Sequence, residues 1–177
     1  MNQLRVLSGS AMIALALSLS CSGDDKGENA ADKGTGGSGA TGDSGLTCDI
    51  VSAEEVSSTL GVSGFEGPTV EDSYGTTTVG CEYKGPDSTY LGINYYPSVS
   101  QSTFDHNREA VDENYPDHPA EDATGIGDDA FTQSIPAEWT VNSVFFLKGS
   151  TMVGITTTSP VTLDQVKQLA VLVASKL

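Results

Sequence analysis

Basic side chains are scarce: the 177 residues carry 8 Lys and Arg against 24 Asp and Glu, a net charge of −16. Phosphate binding needs clustered Lys and Arg, so nucleic acid is excluded as a default partner. Histidine is limited to His106 and His118, and neither H-E-x-x-H nor G-x-S-x-G occurs. The usual signatures of zinc-dependent and nucleophilic hydrolysis are therefore missing. Cysteine occurs three times, tryptophan once, and aromatic residues make up 7% of the chain. Its longest uncharged stretch, Val6 to Gly23, is interrupted by Ser8, Gly9, Ser10, Ser18 and Ser20, whereas a spanning helix needs ~20 predominantly apolar residues. What remains, 37% apolar residues plus 20 Gly, is enough for one hydrophobic core.

The amino-terminal stretch reads as an export signal over residues 1–20: Arg5 precedes an apolar centre, Ala11 to Leu17, and small residues lead to Cys21. Leu17-Ser18-Leu19-Ser20-Cys21 resembles a bacterial lipobox, in which the cysteine thiol is diacylated before cleavage; Ser18 stands where an aliphatic residue is usual. The expectation is a protein held to the extracytoplasmic face of a cell membrane by lipid on Cys21. A secretory signal with an incidental cysteine is the plainer alternative.

If Cys21 carries lipid, Cys48 and Cys81 are left as an even pair, which in an oxidising compartment reads as a structural disulfide. A catalytic thiol or a metal pair would want a nearby His or a C-x-x-C partner, and neither cysteine has one. Between the anchor and the first of this pair, residues 21–45 form a Gly-rich acidic tether. From Ser22 onward it contains no Val, Ile, Leu, Met or aromatic side chain, so it has nothing to bury against the entropy of ordering. As a random coil its reach is roughly 25–30 Å. Its acids, Asp24, Asp25, Glu28, Asp32 and Asp43, outnumber Lys26 and Lys33 and disfavour contact with anionic lipid.

Residues 46–177 form the expected folded domain. Ser52 and Glu55 have capping-box spacing ahead of a short helix bearing Val56 and Leu60, closed by Gly61. Period-two alternation marks strands over Thr76 to Lys84 and Tyr90 to Tyr96, joined by Gly85-Pro86-Asp87-Ser88. A second helix is expected from Thr103 to Asn114, with Phe104, Arg108, Val111 and Tyr115 along one stripe and an acidic opposite side. Phe131 falls on another strand. A second hairpin, Trp139 to Lys148 with Thr151 to Thr158, turns at Gly149-Ser150, and Thr162 and Gln165 cap a final amphipathic helix. This order predicts an α+β domain: an antiparallel sheet of about five strands with helices on one face.

Three blocks carry a family likeness: Cys48-Asp49-Ile50-Val51-Ser52-Ala53-Glu54-Glu55-Val56 leading to Leu60-Gly61, then Cys81-Glu82-Tyr83, then Gly125-Ile126-Gly127-Asp128-Asp129-Ala130-Phe131. Together they resemble the actinobacterial secreted lipoproteins of unknown function that carry a two-cysteine domain, over about Thr47 to Leu177. In that family the position of Tyr83 is often Trp, and the lipobox is usually closer to consensus. The resemblance implies a PsbP-like antiparallel sheet flanked by helices. It implies no reaction and no cofactor, because the family's activity is itself unknown.

Gly125-Ile126-Gly127-Asp128-Asp129-Ala130 also fits G-x-G-x-x-A, the dinucleotide fingerprint, but no apolar strand precedes it and two aspartates would repel a pyrophosphate. A tight turn feeding a strand is the expected role. Between positions 105 and 129 stand nine acids, Asp105, Glu109, Asp112, Glu113, Asp117, Glu121, Asp122, Asp128 and Asp129, with Arg108, His106 and His118. Without EF-hand spacing this reads as a solvated acidic face rather than a metal site. Tyr90, Tyr95, Tyr96, Trp139, Phe145 and Phe146 are candidates to line a groove between sheet and helices for a lipid, glycan or peptide, although such strand residues are more often core. Glycoside hydrolysis by paired carboxylates has no sequence pattern here to support it.

The sequence is thus read as a lipid-anchored, disulfide-stapled, non-catalytic binding module of the bacterial cell envelope. Its partner is either an envelope protein met through the acidic surface or an apolar ligand held in the aromatic groove; an unrecognised envelope hydrolase is the more distant alternative.

Overall fold

The computed structural model describes residues 45–71 and 78–177. The export segment, Cys21, the tether up to Ser44, and the first residues of the strand expected from Thr76 lie outside these. Among the described residues three α-helices and seven strands follow one another as α1 (Ala53–Leu60), β1 (Glu66–Glu71), β2 (Val79–Lys84), β3 (Tyr90–Tyr96), α2 (Gln101–Asn114), β4 (Glu121–Asp122), β5 (Asp129–Ile135), β6 (Val141–Lys148), β7 (Thr151–Thr158) and α3 (Leu163–Lys176). The strands form one antiparallel sheet in the order β1-β2-β3-β7-β6-β5-β4. The class is α+β.

Both expected capping boxes form. Ser52 accepts from the Glu55 N–H while the Glu55 carboxylate accepts from the Ser52 N–H; Thr162 and Gln165 do the same for α3. Each box satisfies two of the N–H groups that a helix start leaves without partners. Gly61, at φ 64°, ends α1 in the left-handed conformation. Ser100 caps α2 by accepting from the Thr103 N–H, so that helix begins two residues before the expected Thr103.

The sheet is larger than the five strands expected, by β1 and β4 at its two edges. Neither has the alternation of a half-buried strand: β1 reads Glu-Gly-Pro-Thr-Val-Glu and β4 is Glu-Asp. An edge strand is held by backbone pairing on one side, so its side chains need not follow a period of two.

Helices also lie on both faces rather than one. Val56 and Leu60 of α1 and Val166, Leu169, Ala170 and Val173 of α3 pack with Tyr83, Ile93, Tyr95, Val144, Phe146, Val153 and Ile155 in the main core. On the opposite face, Phe104 and Val111 of α2 pack with Phe131, Leu147 and Met152. Strand alternation explains the division: β5, β6 and β7 carry apolar side chains at successive positions, a mark of strands buried on both faces.

The carboxyl-terminal helix is tied back to the start of the domain by Lys176, whose Nζ donates to Glu55 Oε1 at 2.6 Å and to the Ile50 carbonyl at 2.9 Å. Lys176 first, then the Ser52 N–H, holds the Glu55 carboxyl down from its usual 4.5 to about 2. A carboxyl whose pKa is depressed by folding contributes stability above its unfolded pKa and loses it as pH falls through the folded value. The domain should therefore lose melting temperature between about pH 4.5 and about pH 2 more steeply than a Glu55→Gln variant. Coincident profiles in a pH series of thermal melts would contradict this ion pair.

Candidate functional site

Cys48 and Cys81 form a disulfide with Cα atoms 5.5 Å apart. Cys48 lies in a single 3-10 turn, Cys48–Ile50, whose preceding Thr47 hydroxyl accepts from the Asp49 N–H. Cys81 lies inside β2, paired with Ile93 of β3 and Val70 of β1. Both belong to the main core. Beside them Tyr83 is fully buried, and its hydroxyl donates to the Val51 carbonyl at 2.6 Å. Burial first, then the negative charge of Glu55 and Asp49, pushes the phenol up to about 12. Tyr83 is thus a neutral hydrogen-bonded core residue that joins the sheet to the chain entering α1.

The six aromatic residues expected to share a groove do not share one. Tyr95 and Phe146 point into the main core and are fully buried. Tyr96 and Phe145 are half-buried on the other face, against the α2 cluster. Tyr90, also half-buried, shares the parity of Tyr96 on β3 and therefore its face. Trp139 lies in the loop before β6 and is 55% exposed. The physical reason is the two-residue period: Tyr95 and Tyr96, like Phe145 and Phe146, are consecutive and must point to opposite faces. Burial raises the pKa of both Tyr95 and Tyr96, with the nearby Tyr83 adding to the effect at Tyr95, so both are neutral phenols near neutral pH.

Two shallow surface depressions among the described residues lie elsewhere. One, of about 330 Å³, lies among Asp122, Ala123, Thr124, Ile126, Lys167 and Val171, and the other, of about 310 Å³, lies between α1 and α3 at Glu54, Ser58 and Leu172. None of the six aromatic residues lines either.

The glycine block forms a turn leading into β5. Ile126 is buried in the main core, Gly125 and Gly127 have φ of 79° and 60°, and the Asp128 N–H donates to the Leu147 carbonyl at 2.7 Å. Asp128 in turn accepts from the Gly149 N–H at 2.6 Å and from Lys148 at 3.4 Å. These contacts, that of Gly149 foremost, hold its carboxyl below the usual range. Asp128 therefore clamps the β6–β7 turn, and its charge is engaged by the fold.

The acidic stretch is spread rather than focused. Arg108 pairs with Asp122, Gln101 bridges Asp105 and Asp129 at 2.9 and 2.7 Å, and Asp112 accepts from the Ala120 N–H at 2.6 Å. His106 lies 3.6 Å from Glu109 at the surface. Among the described residues no three His, Cys, Asp or Glu side chains converge to hold a metal ion, and no helix is long and apolar enough to cross a membrane. Comparison with protein-family models, curated proteins and solved structures yields no match.

Polar residues on the second sheet face escaped the sequence reading. Ser143 and Thr156 have hydroxyls 3.1 Å apart, the Thr158 hydroxyl accepts from the Tyr90 N–H at 3.0 Å, and Gly92 lies beneath Tyr90. Serine and threonine alternate with apolar residues in any half-buried strand. The hairpin at Gly149-Ser150 sets Ser143 opposite Thr156, but only the strand order shows that β3, with Tyr90 and Gly92, lies beside them.

Proposed function

We propose that the chain is an exported, lipid-anchored binding module of the bacterial cell envelope, without catalysis, and a member of the two-cysteine lipoprotein group that its sequence blocks resemble. In this reading Cys21 carries the lipid, residues 21–45 are the tether, and residues 46–177 present the recognition surface at the extracytoplasmic side. One observation carries the reading. Cys48 and Cys81 are bonded to each other in the core, which leaves Cys21 as the single remaining cysteine, at the end of an uncharged stretch with small neighbours. A buried structural disulfide suits an oxidising compartment outside the cytoplasm, and a lipobox-like cysteine supplies the means of staying at the membrane.

The recognition surface is acidic. Residues 46–177 hold five basic and nineteen acidic side chains, a net charge of −14, and among the described residues Arg108, Lys148, Lys167 and Lys176 are paired with acids of the same domain. A protein partner with basic side chains is favoured by such a field, through faster encounter at low ionic strength. Tyr90, Tyr96 and Phe145, half-buried together on the second sheet face, support a second reading in which a small ligand is held there.

Expression of the full chain and a Cys21→Ser variant in a lipoprotein-processing bacterium tests the anchor. The parent is expected in the membrane fraction and the variant in the soluble extracytoplasmic fraction. Equal partitioning of the two would overturn the lipid anchor.

A further inference from the structure

The chain enters the folded domain through a short stretch that is fastened as soon as it arrives. Gly45 is exposed and Leu46 is buried. The next few residues carry the Cys48–Cys81 bond, the Ile50 carbonyl that accepts from Lys176 Nζ at 2.9 Å and the Val51 carbonyl that accepts from the Tyr83 hydroxyl at 2.6 Å. These ties run to β2 and to the last turn of α3, and the covalent one comes first along the chain.

The elements that follow are less firmly held than the strand to which Cys48 is bonded. Cys81 has strand partners on both sides, Val70 of β1 and Ile93 of β3, and beyond β3 the sheet continues through β7, β6 and β5. By contrast, α1 has eight residues and β1 is an edge strand paired with β2 alone. The β1 pairing shifts between Glu66 and Thr69, Pro68 has no N–H to give to it, and Glu66, Gly67, Thr69 and Val70 are exposed. Without the bond, a pull on the amino terminus would meet α1 and then β1 in turn, and elements with so little buried surface open locally before the rest of a fold.

We propose that the disulfide is a mechanical clamp: tension on the tether passes from Cys48 straight to Cys81 inside the sheet, and α1 and β1 sit on a loop that carries none of it. The shortest covalent route from Gly45 into the sheet runs through the two sulfurs, not through residues 49–80. The Ile50 and Val51 ties lie beyond Cys48 and are shielded with the loop. The proposal rests on the reading of residues 21–45 as the tether of an anchored domain, because a domain held at one end is put under tension when a partner on its surface moves. The clamp keeps α1, β1 and the surface they form folded under that load.

The full chain, in detergent, is stretched in optical tweezers between a handle on its amino terminus and one on Ala137→p-azidophenylalanine, in the exposed loop between β5 and β6. The parent is expected to yield in one rupture. Cys48→Ala/Cys81→Ala is expected to show an earlier event, at about half the parent's rupture force or less. That event should release about 110–120 Å as the 33 residues between the two positions straighten. A double variant without it overturns the proposal, since α1 and β1 would then hold without the bond. So does a parent that gives up β2 in a short first step before the rest of the sheet; this arm needs no cysteine variant and decides the matter if the double variant does not fold. The handle takes the place of the lipid, so the result is independent of Cys21. An anchored protein whose two traces coincide loses the clamp alone, and a protein with the expected traces but no lipid loses the reading beneath it.

Discussion

Replacing both Cys48 and Cys81 by Ala is expected to destabilise the domain by about 3–4 kcal/mol, the loop-closure entropy of a crosslink spanning 33 residues. That loop holds α1 and β1, and it joins the chain entering α1 to a strand inside the sheet. Without the bond, the unfolded chain regains the freedom that the crosslink removes, while the folded state keeps two small buried side chains in place of two sulfurs. For a domain of this size the loss corresponds to a melting temperature lower by roughly 10–15 °C. Thermal and urea unfolding of the oxidised protein and the double variant measure it. A difference below about 1 kcal/mol would mean that the unfolded state is already restricted without the crosslink.

Gly127→Ala carries the other large effect. At φ 60° any side chain is strained, by about 1–2 kcal/mol. In addition, a Cβ there would lie 2.4 Å from the Leu147 carbonyl oxygen, a backbone atom that accepts the Asp128 N–H and cannot move aside without breaking that bond. Overpacking adds about 1–3 kcal/mol, so the total expected loss is roughly 3 kcal/mol or more. Gly125→Ala is the matched control. Its φ of 79° is equally unfavourable, but nothing lies within 4 Å of its added Cβ, so it should lose only about 1–2 kcal/mol. Urea midpoints of the two variants separate conformational strain from collision; equal losses would show that the close approach to Leu147 is relieved by other means.

These two positions also show what the sequence could and could not reveal. Gly125-Ile126-Gly127 was legible as a turn because two aspartates and the missing apolar strand argued against a nucleotide loop. The partner that makes Gly127 indispensable, the Leu147 carbonyl, is 20 residues away and leaves no trace in the local pattern. The capping boxes at Ser52 and Thr162, the hairpin at Gly149-Ser150 and the apolar stripes of α1 and α3 were readable because each is a local rule of spacing. By contrast, β1 and β4 were missed because edge strands are specified by backbone pairing, and the placement of α2 on the second face was missed because periodicity gives a helix its stripe but not its layer. The aromatic groove failed for a reason visible in the residues themselves: Tyr95-Tyr96 and Phe145-Phe146 are neighbours in sequence, and a strand sends neighbours to opposite faces. The neighbourhood of Tyr90, over Gly92 and beside Thr156, depends on the pairing of β3 with β7, which only the fold supplies.

The central claim concerns the chemical state of Cys21, and mass spectrometry of the amino-terminal peptide of the mature, membrane-extracted protein reads it directly. The account predicts a peptide that begins at Cys21 and carries the mass of a diacylglyceryl group on its thiol. A peptide that still contains residues 1–20, or one that contains an unmodified Cys21 thiol, would contradict it.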